Sequence, residues 1–352
     1  MLPSSHCDSH NQQLRSYIPS WSRDTKISNI KPILRFNGNS HQLSKKLRFS
    51  STIKKGAMGF VSRPICSEQN NVFPDVDPSL QDTVPPTTGP PVTVSPQLFN
   101  YSFNNTSTSY DLSDDDKKNY VNAVNRWSEI VTSNPMNASI NVTFVIADLQ
   151  PNILGQAQVS DFYTVPGTSG NKLKELFPRA GVITLNQSHF EAMKSNIRAD
   201  GTNDLYNVVL HELGHILGIG ILFSLSDANF GYTGGNDDGT EYMYIGENAL
   251  REYTTCFPPY FSNVTYVGIP IEEDGGSGTA IFHPEEGNLA SGVLSSNNRT
   301  YMGVHYPGMQ NEIMTGWSDS GNSNLPLSRI SIGFLEDIGY SVDYSKADAF
   351  PT

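Results

Sequence analysis

Near the middle of the chain stands His211-Glu212-Leu213-Gly214-His215-Ile216-Leu217-Gly218, and the reading of this stretch decides how the rest is read. Side chains four apart in a helix project from one face about one turn apart, so His211 and His215 can offer two nitrogens to one metal ion. Glu212 lies beside them. A zinc ion held by three protein ligands keeps an open position for water and lowers that water's pKa towards neutrality. A neighbouring carboxylate then takes the proton as the water attacks a carbonyl, and Glu212 is the candidate base. The motif means this only on a helix. Asp204 as an N-cap, Leu205, Val208, Val209, Leu213, Ile216 and Leu217 at helical spacing, and Gly218 as a C-terminal stop predict one. The plain alternative is a buried helix whose histidines only hydrogen-bond.

The 352 residues, 37% hydrophobic, suffice for a large core. The net charge of −12 is unevenly spread. Residues 1–70 hold 11 Lys and Arg against 3 Asp and Glu, so the remainder is strongly acidic. Such a surface repels phosphate backbones and argues against nucleic-acid binding by the main domain. Neither a transmembrane anchor nor a secretory signal is expected, and the compartment stays open, extracellular and organellar included. Three cysteines, Cys7, Cys66 and Cys256, do not imply a disulfide framework.

Composition divides the chain. Residues 1–70 read as a basic, disordered arm or pro-segment, whose Cys7 or Cys66 could cap a metal and hold an enzyme latent. Residues 71–98 read as a proline-rich linker. Beyond it, a Ser113/Asp116 capping box opens a helix with Tyr120, Val121, Val124, Trp127, Ile130 and Val131 on one stripe. Ile140, Val142, Phe144 and Ile146 alternate as in a strand, Gly181–Leu185 suggests another, and Ser328 to Gly339 bound a last helix.

A glycine three residues after the second histidine lets the chain turn sharply and send a later side chain back to the metal. His-Glu-x-x-His-x-x-Gly opens the metzincin signature. The chain resembles the leishmanolysin-like metallopeptidases, a metzincin family in which an insertion separates this glycine from the third histidine. The resemblance rests on His211–Gly218, on Gly275-Gly-Ser-Gly-Thr-Ala-Ile-Phe-His283-Pro-Glu-Glu286, on Asn311-Glu-Ile-Met314-Thr-Gly316 and on Leu327–Tyr340. It covers about residues 100–350, with weaker similarity through Tyr244–Ala249 and the Trp127 helix.

The resemblance implies His211, His215 and His283 as zinc ligands, Glu212 as general base and Met314 as the apolar floor. The step of 31 residues from His283 to Met314 is longer than the family's usual spacing, which makes His305, 9 residues before Met314, a competitor. His283 is preferred because its flanking residues match, which would make 287–310 an inserted loop.

The expected fold is α+β and metzincin-like. Residues 99–218 would form an upper subdomain of twisted sheet and helices, 219–282 the family insertion, and 283–352 a smaller lower subdomain. The expected function is a zinc metalloendopeptidase acting on protein or peptide substrates by Glu-assisted attack of a zinc-bound water. The alternatives are a catalytically inactive binding or adhesion module and a hydrolase of small amides.

Overall fold

Ile140, Val142, Phe144 and Ile146 are all buried, and the residues between them are not, so one side of a strand faces a core. The structure is a computed structural model that describes residues 34–36, 47–49, 97–104, 112–165, 172–225, 230–232, 242–259, 264–272, 281–287, 299–301, 304–318 and 323–350. In chain order its elements begin β1 (Leu34–Phe36), β2 (Leu47–Phe49), β3 (Phe99–Phe103), α1 (Asp114–Ile130), β4 (Val131–Ser133), β5 (Ile140–Ala147) and β6 (Gly155–Thr164). They continue with α2 (Lys172–Glu175), β7 (Leu176–Asn186), α3 (Phe190–Ser195), α4 (Asp204–Ile216), α5 (Ile221–Leu225), β8 (Phe230–Tyr232), β9 (Tyr242–Tyr244) and α6 (Glu247–Cys256). Last come β10 (Ile269–Pro270), β11 (Arg299–Tyr301), β12 (Val304–Tyr306), β13 (Trp317–Ser318), α7 (Arg329–Ile338) and β14 (Ser341–Val342).

The fold is mixed α+β. Four strands form one sheet in the order β3-β5-β7-β6, with β3, β5 and β7 parallel and the outer β6 antiparallel to β7. Helix α4 packs on β6, β7 and α1, while α6 pairs with α7. The described residues from 97 to 350 belong to one compact unit. Residues Lys54–Ser95, which include most of the expected linker, lie outside the described residues. So do Cys7, Cys66 and parts of 219–282 and 287–310.

Local chemistry explains most boundaries. Ser113 and Asp116 form the capping box at the start of α1, each side chain accepting from the other's backbone N–H. Ser328 caps α7, and Gly339, at φ 113°, ends it in a left-handed turn. The start of α4 differs from expectation. Asn203 is the cap, its side chain accepting from the Tyr206 N–H at 2.8 Å. Asp204 enters the first turn because the Arg198 guanidinium, buried beside it at 2.7 Å, claims its carboxylate. The sheet also contains β3 and β6, which the sequence pattern did not disclose, and β7 is longer than Gly181–Leu185. The arm contributes β1 and β2, paired antiparallel, with β2 pairing β13.

Asp204–Phe223 has the length and hydropathy of a membrane span, contrary to the sequence reading, but 94% of its most apolar window is buried inside the fold. That composition belongs to a core helix. Trp127 of α1 supports it, fully buried and donating from Nε1 to the Leu210 carbonyl at 2.8 Å. Trp127→Ala is expected to cost about 3–5 kcal/mol, as aromatic truncation in a core does. Chemical denaturation of the variant against the parent checks this.

Candidate metal centre

The residues that make α4 a core helix also aim its polar side chains. Leu205, Val209, Leu213 and Ile216 are fully buried, which turns His211 and His215 to a common place one turn apart. Neither histidine is more than 1% exposed. His211 Nδ1–H donates to the Ile313 carbonyl at 2.6 Å, and His215 Nδ1–H to the Ile219 carbonyl at 2.9 Å. A carbonyl can only accept, so both protons sit on Nδ1 and both Nε2 atoms carry lone pairs.

After His215 the chain leaves the helix through two left-handed glycines, Gly218 at φ 113° and Gly220 at φ 74°. Gly220 has a further reason to be glycine: a Cβ there would run into the Phe282 carbonyl. The returning strand therefore passes directly over it. That strand is aligned by Glu272 N–H to the His283 carbonyl at 2.9 Å, Ile281 N–H to the Glu272 carbonyl at 2.8 Å, and Glu285 N–H to the Pro270 carbonyl at 2.9 Å. A single antiparallel bridge, Ile271 to Pro284 just beyond β10, completes this alignment and places His283.

His283 completes a cluster. His215 Nε2 lies 2.8 Å from His211 Nε2 and 3.0 Å from His283 Nε2, with the ligand atoms of all three within 4.8 Å of one another. His305, the competing candidate, is exposed on β12 opposite Thr300 and is not among the three. Two Nε2 lone pairs facing each other cannot hydrogen-bond without an added proton. Burial opposes that proton, holding His211 well below the ordinary histidine range, with His215 and His283 adding to the effect, and pushing His215 down to about 4. A metal cation held by the three imidazoles would satisfy the lone pairs instead. At an ordinary Zn–N distance of about 2.0–2.1 Å, tetrahedral ligands stand about 3.3 Å apart, so slight opening admits the ion.

Met314 is fully buried against α4, and Gly214 leaves room for it: a Cβ at 214 would stand 2.5 Å from the Met314 sulfur. The turn carrying Met314 is fixed by Glu312, a residue to which the sequence reading assigned no role. Its buried carboxylate accepts from the Met314 N–H at 2.6 Å, the Ser328 N–H at 3.0 Å and the Ser328 hydroxyl at 2.8 Å. Because Ile313 also supplies the acceptor for His211, this turn sets both the floor and a ligand's tautomer.

Glu212 is fully buried beside the cluster, and neither of its carboxylate oxygens has a hydrogen-bond partner. Burial alone raises its pKa well above the ordinary carboxylate value. Such a group is costly to a fold and useful as a proton acceptor once a charge or a water faces it.

Two outcomes are expected. His283→Ala lowers the metal bound per chain, measured by atomic absorption after dialysis, whereas His305→Ala leaves it unchanged. In the metal-free chain, the raised Glu212 pKa means that the folded state binds more protons than the unfolded one above about pH 4.5, so its contribution to stability falls as pH rises. Glu212→Gln therefore gains stability relative to the parent as pH rises from 4.5 to 7, as urea titrations at several pH values will show. Neither any protein-family model nor any curated protein matches the chain, so the chemistry is argued from this geometry.

Proposed function

We propose that the chain is a zinc-dependent metalloendopeptidase with a metzincin-like catalytic domain, resembling the leishmanolysin-like peptidases. One observation carries the reading: three imidazoles converge on a single point, and a buried carboxylate with no protein hydrogen-bond partner follows the first of them directly in sequence. The left-handed turn after His215, the third histidine on a returning strand and the methionine beneath α4 add support.

Zinc held by His211, His215 and His283 would act as a Lewis acid on the scissile carbonyl and lower the pKa of a water for attack. Glu212 takes the water's proton on a carboxylate oxygen and returns it to the leaving amine. Ile313 and Ile219 keep both Nδ1 protons in place, so each imidazole on α4 stays a neutral donor through its Nε2. The outer strand β6 lies next to this helix, and the edge of a sheet is a place where an extended peptide can align. A scaffold that only bound metal or a partner protein would have no use for the cost of burying Glu212 without hydrogen bonds.

The four side chains are at most 1% exposed, so a peptide reaches them only when the covering chain parts. The test therefore uses the full chain both intact and after brief trypsin treatment of its Lys- and Arg-rich arm, with the trypsin then quenched. Cleavage of an unfolded protein in either form, abolished by a zinc chelator and restored by zinc, is the expected result; no cleavage in both forms overturns the proposal. Glu212→Gln is expected to lose at least about 10²-fold in kcat while keeping its zinc, the range for removing a general base.

A further inference from the structure

We infer that Gly155 is a positioning residue for Glu212, an inference that rests on the reading of Glu212 as the base. Gly155 opens β6 and stands opposite Leu185 of β7. Its backbone is not left-handed, unlike that of Gly201, Gly218, Gly220, Gly287 and Gly339, so conformation does not demand glycine there. Space does. A Cβ at 155 would lie 3.0 Å from Glu212 Oε1, 3.0 Å from Val208 Cγ1 and 3.1 Å from Leu185 Cδ2. The Glu212 carboxylate therefore rests on bare backbone, where any side chain would displace it.

The strand cannot readily move away to make room. Asn186, fully buried, ties down the segment leading into Gly155: its N–H donates to the Leu154 carbonyl at 2.8 Å, and its side-chain amide donates to Ile153 at 2.7 Å and Gln150 at 3.1 Å. Its own side-chain oxygen accepts from the Ser188 N–H at 3.1 Å and the Ser188 hydroxyl at 2.9 Å. Val208 and Leu185 are core residues with no free volume to retreat into. Among the three neighbours, only Glu212 presents the end of a long polar side chain with no protein hydrogen bond to hold it, whereas Val208 and Leu185 are apolar core side chains. An added methyl group is therefore relieved mainly by shifting the carboxylate.

The test compares Gly155→Ala with the parent in the zinc-loaded full chain. A crystal structure of the variant is expected to show the Glu212 carboxylate displaced by a few tenths of an ångström, the relief that a 3.0 Å Cβ contact demands; an unmoved carboxylate overturns the inference whether or not the chain is a peptidase. Where the parent cleaves protein, kcat is expected to fall about 3- to 10-fold, the share of the ~10²-fold cost of a 1 Å misplacement that a few tenths of an ångström implies, with KM and bound zinc unchanged. A parental kcat in the variant overturns the inference. Loss of hydrolysis by the parent itself counts against the peptidase reading and leaves the crystallographic result to decide the positioning role.

A merely structural glycine is separated by a second pair. Glu212→Asp draws the carboxylate back by one methylene, so combining it with Gly155→Ala is expected to cost less than the product of the two single losses in kcat. Losses that simply multiply refute the coupling. Should Gly155→Ala not fold, Gly155→Ala with Val208→Ala removes the competing apolar crowding, and the displacement is then measured against Val208→Ala alone, with the same two outcomes.

Discussion

Each imidazole of the helix spends its Nδ1 proton on a backbone carbonyl, and this leaves two lone pairs pressed together inside the protein. Water cannot relieve them, because neither ring is more than 1% exposed, and protons cannot, because burial disfavours the imidazolium. The three imidazoles could hold a metal cation at this point. The surrounding packing keeps the arrangement from relaxing.

That packing acts from three directions. Trp127 fixes the helix from α1 by holding the Leu210 carbonyl, the residue before His211. The turn of Met314 supports it from beneath, and Glu312 ties this turn to the cap of α7 through Ser328. From the far side comes the His283 strand, whose neighbour Glu272 accepts from the Trp317 indole at 2.9 Å, joining the third imidazole's strand to the segment just past Met314. A small shift at any of these contacts reaches the cluster, since close-packed interiors transmit strain.

Much of this was legible in the residues. The 3.6-residue periodicity and the terminal glycine identified α4, Ser113 and Ser328 announced their helices, and the alternation of Ile140 to Ile146 found β5. What stayed hidden was set by distant partners. Strand β6 runs Gly155-Gln-Ala-Gln-Val-Ser-Asp-Phe-Tyr-Thr with a bulge near Asp161, so its alternation breaks before the pattern becomes clear. Asp204 looks like a cap until Arg198 is brought beside it by the fold. In the sequence, matching flanking residues favour His283 and spacing favours His305, whereas in space His283 joins the cluster because its segment crosses Gly220. Gly155 gave no periodic or motif signal, and Glu312, though inside the Asn311–Gly316 motif, disclosed no role because Ser328, which it also holds, lies 16 residues on.

The crossing at Gly220 has a consequence for how the molecule can vary. The third imidazole is placed by a local contact between two backbones, at Gly220 and Phe282, and by the ladder between 270–272 and 281–285. The sixty or so residues between those two backbones do not measure out its position. Segments there can lengthen or shorten, for the small entropic penalty that loop growth carries, while the crossing point and the ladder stay as they are.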